Sequence, residues 1–192
     1  MGIDIKSDEG ISFVTEVLNF IEDFAKVASE ETGNSFNVEE IPGESVAVKL
    51  AEKDKILFGE DKIPFKLYSN QYIPLIVDAP LPERICLTGK FQDILSGGGI
   101  LHLTVSDRIE DPTTMKHLIE YSVKHGVSHM AVNYSFGEYE DGHVTVCGNS
   151  EICSICGKKI ISHMTRIVGY FTLTTSWNHV RREYEFPRRV FS

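Results

Sequence analysis

Positive charge is scarce in this chain: 19 Lys and Arg stand against 28 Asp and Glu, a formal net charge of −9 over 192 residues. That balance excludes a nonspecific grip on a nucleic-acid backbone. Long apolar runs are missing too. None approaches the roughly 18 to 20 residues of a membrane span, and Met1 to Glu9 is polar and acidic, without an export or lipidation signal. The expectation is therefore a cytoplasmic chain without a membrane partner. Cysteine is sparse, with four residues, yet Cys147, Cys153 and Cys156 lie close together while Cys86 stands alone. In a cytosolic chain such clustering points to metal more often than to disulfides. What remains is ordinary globular material, 42% hydrophobic and 24% charged, long enough to bury a core. One local exception is basic: Arg181, Arg182, Arg188 and Arg189 are expected to form a solvated tail face, with docking to an acidic surface as the alternative.

Apolar residues recur at helical spacing over residues 8 to 31 (Val14, Val17, Leu18, Ile21, Phe24, Ala25, Ala28), and Gly33 follows as a C-cap. This amphipathic helix needs a partner surface for its stripe. An extended segment, Ser35 to Ile41, leads into a second helix from Ser45 to Leu57. Four prolines between Ile63 and Pro82 argue against any long regular element there. From Gly99 to Tyr134 the pattern is strand (Ile100 to Val105), helix and strand (Val127 to Tyr134), with Asp111 as N-cap, Pro112 at the first helical position and Gly126 as the stop. Two strands joined in this way are expected to be parallel with a right-handed crossover. After Ser135 the chain reads as short pieces: a turn at Asp141-Gly142, a strand from His143 to Cys147, a knuckle from Cys153 to Gly157, and a last strand from Thr165 to Thr174 carrying Gly169 in its middle.

Cys153-Ser-Ile-Cys156-Gly157 has the spacing that lets two thiolates share one Zn²⁺, with glycine easing the turn. The site needs further ligands. Cys147 is expected as the third and His143 as the fourth, with His163 also near in sequence; unligated or redox cysteines are the alternative reading. Gly169, in a β-branched run, reads by itself as a bulge or a close backbone approach. Gly97-Gly98-Gly99 matches no phosphate-binding fingerprint, and Cys86 reads as a small buried hydrophobe.

Arg166-Ile-Val-Gly169-Tyr170-Phe171, shortly after the cysteine knuckle, resembles the R-x2-G-Y-[LF] radical loop of anaerobic, glycyl-radical ribonucleoside-triphosphate reductases. The likeness extends through Glu30-Glu31-Thr32-Gly33, Tyr68-Ser69-Asn70-Gln71, Gly89-Lys90-Phe91-Gln92, Gly97-Gly98, Trp177-Asn178 and Arg188-Arg189-Val190, in order along nearly the whole chain. It implies an α/β fold: part of a glycyl-radical-enzyme barrel, a parallel half-sheet with crossover helices over residues 1–134. The knuckle, radical loop and tail follow over 135–192. It also implies a radical stored on Gly169, flanked by Arg166 and Tyr170 and installed by an activating enzyme that uses S-adenosylmethionine and an iron-sulfur cluster. Ser69 and Asn70 fall on the substrate side.

In the family the radical oxidises an upstream cysteine, whose thiyl form takes the 3′-hydrogen of a ribonucleoside triphosphate before the 2′-hydroxyl leaves. The resemblance places that cysteine, and a second substrate-site cysteine further upstream still, outside the matched region, and Cys86 matches neither position. The expected partner is an N-terminal reductase chain, or further copies in a homo-oligomer. The family also carries two C-x2-C pairs, and the first would fall near Phe136-Gly-Glu-Tyr139, where no ligand stands. Two other readings remain open: a non-catalytic interaction module, and a spare radical carrier that repairs an oxygen-cleaved reductase.

Overall fold

A computed structural model describes residues 3–41, 43–69, 71–75, 77–148, 150–167 and 169–191. Four helices, α1 (Asp8–Thr32), α2 (Glu44–Phe58), α3 (Leu81–Gln92) and α4 (Pro112–Lys124), accompany six strands. The strands are β1 (Leu101–Val105), β2 (Met130–Tyr139), β3 (Val144–Val146), β4 (Ile160–Ile167), β5 (Tyr170–Leu173) and β6 (Val190–Phe191). They form one sheet in the order β5-β4-β2-β1-β6, with β3 also paired to β2. β1 and β6 are parallel. The pairings β2–β3, β2–β4 and β4–β5 are antiparallel. No helix among the described residues is long and apolar enough to cross a membrane.

The chain divides into two compact units, one of residues 1–41, 79–101 and 111–131, the other of residues 42–78, 102–110 and 132–192. β2 crosses the boundary expected between 134 and 135.

In the first unit, Ser7 caps α1 by accepting the Gly10 N–H at 3.1 Å, and Gly33 closes it at φ 69°. α1 packs against α3. The buried Glu22 carboxylate accepts both the backbone N–H (2.6 Å) and the hydroxyl (2.9 Å) of Ser96. Only part of the apolar stripe is covered. Val14, Leu18, Ala25 and Ala28 are half-buried, whereas Val17, Ile21 and Phe24 are exposed, as is Phe20 beside them at 73%. α3 begins where the proline count suggested no regular structure. Pro80 occupies its N-cap and Pro82 lies in its first turn, where a missing N–H costs nothing. The triple glycine is likewise structural: a Cβ on Gly97 would stand 2.7 Å from the Val38 carbonyl, one on Gly99 2.4 Å from Glu40 Oε2, and Gly98 has φ +71°. Asp111 caps α4 by accepting from the N–H groups of Thr113 and Thr114, as its position predicts. Cys86 is half-buried, with its sulfur 3.2 Å from the Tyr121 hydroxyl.

In the second unit the C-terminal arginines depart from the expected solvated tail. Arg181 and Arg189 are buried. Arg181 donates to both Glu185 carboxylate oxygens at 2.5 and 2.9 Å, and Arg189 lies 3.7 Å from the same group. Both guanidinium groups sit over the Trp177 ring, at 4.4 and 5.4 Å from its centroid. Cation–π and bidentate pairing together justify burying these charges. Arg182 and Arg188 remain exposed, as expected. The turn of π-helix at Arg181–Glu185 thus leads into β6, which extends the edge of β1.

Gly89 provides a test of the first unit. Alanine there should gain about 1 kcal/mol of helix propensity, but its Cβ would stand 2.1 Å from the His125 carbonyl oxygen. Overpacking of this kind costs about 1 to 3 kcal/mol. Gly89→Ala should therefore lower the urea midpoint. A raised midpoint would show that α3 and the end of α4 do not approach this closely.

Candidate functional site: a glycine turn and a thiol-imidazole cluster

The run expected as one strand from Thr165 to Thr174 is two. β4 and β5 pair antiparallel with Ile167 opposite Tyr170 and Arg166 opposite Phe171, and Gly169 lies in the connection between them. Val168 lies outside the described residues. Gly169 is exposed, and a Cβ built on it would meet nothing within 4 Å. Neither a bulge nor a close backbone approach requires glycine here. Around the turn, Phe171 stands edge-on to Phe136 with centroids 5.3 Å apart, and Tyr170 is exposed. A cavity of about 280 Å³ is bordered by Gly169, Arg166, Asn133, Tyr134, Phe136 and Phe171. Asn133 is buried and its Nδ2 is 3.2 Å from His102 Nδ1. Burial, then the charges of Arg189 and Arg166, hold the His102 pKa below its ordinary value. Sequence reading gave His102 and Asn133 no role; both lie inside apolar strand patterns.

The second feature grows from two tight turns. Gly142, at φ 81°, donates its N–H to the Tyr139 carbonyl at 2.8 Å, and the Tyr139 N–H donates to the His143 carbonyl at 3.1 Å. In the knuckle, Gly157, at φ 70°, donates to the Cys153 carbonyl at 3.0 Å. The N–H groups of Ile155 and Cys156 point at Cys153 Sγ from 3.3 and 3.4 Å. These turns bring His143 Nε2 to 3.2 Å from Cys153 Sγ and 3.7 Å from Cys156 Sγ, and the three ligand atoms lie within 4.8 Å of one another. Donors sharing one zinc at bond lengths of about 2.0 to 2.3 Å stand about 3.5 to 3.8 Å apart. The donor set and spacing therefore fit zinc.

Cys147, expected as the third ligand, is not among those atoms. Its thiol faces the carbonyls of Ser135 and Gly148 and His163 Nδ1, each at 3.6 Å. Burial pushes its pKa up to about 11 and that of His163 down. The physical reason is local. The Cys147 backbone N–H is tied to the Ser135 carbonyl at 2.9 Å, which holds this residue along β2 and away from the knuckle. Asp141, which sequence reading used only as a turn former, contacts His143 Nδ1 through its carboxylate and lies 3.5 Å from Lys158 Nζ. The hydrogen bonds to Cys153 and to Asp141, in that order, raise the His143 pKa. Ser69 is turned into its own loop, its hydroxyl donating to the Gln71 carbonyl at 2.5 Å. It borders an apolar groove of about 410 Å³ with Phe65, Leu67, Tyr68, Leu75 and Tyr184. Asn70 lies outside the described residues.

For Cys153, burial raises the thiol pKa, but the N–H of Cys156, His143 and the N–H of Ile155 outweigh it and bring the value down to about 6. A depressed acid stabilises the fold fully above its unfolded pKa, and that contribution is lost as pH falls through the folded value. In metal-free protein, thiolate absorbance near 240 nm should show one cysteine ionising near pH 6. His143→Gln should move this step upward; an unmoved midpoint would remove His143 from the cause.

The family model described as anaerobic ribonucleoside-triphosphate reductase matches residues 1–191. The anaerobic ribonucleoside-triphosphate reductase of Enterobacteria phage T4 is 24% identical over 165 residues, covering 81% of this chain and 27% of the phage protein. Among solved structures, an anaerobic ribonucleotide reductase superposes with a TM-score of 0.84 at 38% identity, over 97% of this chain and 29% of that one. The Thermotoga maritima anaerobic ribonucleotide reductase with glycerol in the active site superposes with a TM-score of 0.76 at 37% identity, over 94% of this chain and 28% of that one. The chain thus spans between a quarter and a third of the length of these relatives. It belongs to the anaerobic ribonucleoside-triphosphate reductase family.

Proposed function

We propose that this chain is the radical-bearing C-terminal portion of a cytoplasmic anaerobic ribonucleoside-triphosphate reductase, with Gly169 as the radical site. The observation that carries this reading is the placement of Gly169: in the connection between β4 and β5, exposed, where nothing within 4 Å of a Cβ would exclude a side chain. Packing gives no reason for glycine, and radical chemistry does. Without a side chain the alpha carbon can flatten, and the neighbouring amide and carbonyl delocalise the spin. An exposed turn also suits access by an activating enzyme that uses S-adenosylmethionine.

Exposure has a second consequence. A stored carbon radical must be kept from oxygen and bulk water, and this chain alone leaves the turn open. We infer that the upstream portion of the reductase supplies the cover, the rest of the barrel and the cysteine that takes hydrogen from the ribonucleoside triphosphate. The four cysteines here support that division: Cys153 and Cys156 belong to the knuckle, Cys147 is half-buried with its pKa pushed up to about 11, and Cys86 lies against Tyr121. The uncovered phenylalanines of α1 are the kind of surface a partner hides. Arg166 and Tyr170 bracket the turn, and Ser69 and Asn70 are assigned to the substrate side of the complete enzyme. His143, Cys153 and Cys156 would hold a zinc ion, which when bound supplies a clamp between the two turns.

Anaerobic activation followed by air should cut the chain at Gly169 and release a peptide beginning at Tyr170, readable by mass spectrometry; Gly169→Ala should stay whole. Cleavage of the alanine variant at the same bond would refute the assignment. The activated chain alone should not reduce any ribonucleoside triphosphate, whereas adding the upstream portion of a related reductase should restore turnover. Turnover by the chain alone would show that the catalytic cysteine is among its own four.

A further inference from the structure

The zinc reading above names three protein donors, and their surroundings say more about the site. His143 is restrained twice. The Asp141 carboxylate contacts its Nδ1, and the Tyr139 ring lies parallel to it, with centroids 4.6 Å apart and planes 19° from each other. With Nδ1 committed to a carboxylate, Nε2 is left as the lone-pair nitrogen facing both thiols, at 3.2 and 3.7 Å. A carboxylate on the far nitrogen of a metal-binding imidazole fixes the tautomer and raises ligand basicity. Lys158, 3.5 Å from the other Asp141 oxygen, follows the knuckle directly and ties Asp141 to it. Among the described residues, no fourth His, Cys, Asp or Glu ligand atom joins the cluster. Cys147, the natural completion by sequence spacing, is held by the Ser135 carbonyl and His163.

We propose that the knuckle is a three-ligand metal site, His143, Cys153 and Cys156, in which Asp141 is the positioning residue and the fourth coordination position is open to an exchangeable donor. Open fourth positions otherwise distinguish reactive zinc sites from closed structural ones. Here the open corner lets water, or a donor from the upstream portion of the reductase, complete the shell. Tyr139 contributes by stacking its ring on His143.

The proposal rests on the metal reading and is tested on the full chain with cobalt(II) and zinc. Wild-type protein should bind one equivalent of cobalt, with thiolate-to-metal charge-transfer bands, and added imidazole should shift the cobalt d–d bands. Asp141→Asn should weaken zinc binding about 10- to 100-fold in a chelator competition while keeping the charge-transfer bands. Cys147→Ser should bind as wild type does. Circular dichroism of each metal-free variant separates lost ligation from lost folding. Cobalt bound without a response to imidazole, or affinity lost in Cys147→Ser while the fold persists, would overturn the open three-ligand site. Unchanged affinity in Asp141→Asn would overturn its positioning role. Wild-type protein that binds neither metal would remove the metal reading itself, leaving the assignment of Gly169 untouched.

Discussion

The register of β4 against β2 sets the position of everything chemically distinctive in this chain. Ser135 lies opposite Thr165 and Gly137 opposite His163. β4 enters that pairing directly from the knuckle and leaves it into the glycine turn. Its eight residues separate the two features by about 25 Å at strand rise, and a slip of one residue would turn each β4 side chain to the opposite face. Gly137 helps to fix the register. A Cβ there would stand 2.7 Å from Ile160 Cδ1 and 3.0 Å from the Tyr139 hydroxyl, so a larger residue would have to displace the ends of these two side chains. The buried Tyr139 is then held where its ring can stack on His143.

Much of this was legible in the sequence, for identifiable reasons. α1 and α4 were marked by helical periodicity and by local capping chemistry: Gly33 ends α1, and Asp111 with Pro112 starts α4. Local signals failed where one residue type serves two purposes. The prolines around Leu81 look like breakers but start α3. Gly169 sits among β-branched and aromatic residues that suggest an unbroken strand, while the pairing partner that bends it into a hairpin is β4 itself. The terminal arginines resemble a solvated patch because Glu185 and Trp177, which bury two of them, become partners only once the π-helical turn exists.

The candidate metal site shows the same limit. The C-x2-C spacing and a nearby histidine identified three residues that the structure brings together. Spacing also suggested Cys147, which a backbone hydrogen bond to Ser135 keeps elsewhere. Asp141 was visible only as half of a turn signal. Nothing in a linear pattern tells a turn aspartate from one that braces an imidazole, because the difference lies in side-chain direction.

In the proposed account, these pieces form a portable end of a reductase. A sheet edge presents one glycine at an open turn, a knuckle clamps the strand that leads to it, and the remaining barrel provides the cover a radical needs. Isotope-edited electron paramagnetic resonance tests the central claim most directly. After anaerobic activation with the upstream portion present, the chain should give a doublet from one alpha hydrogen, and deuteration of glycine alpha carbons should collapse it to a single line. A doublet that survives deuteration, or that persists in Gly169→Ala, would place the unpaired electron elsewhere and contradict the account.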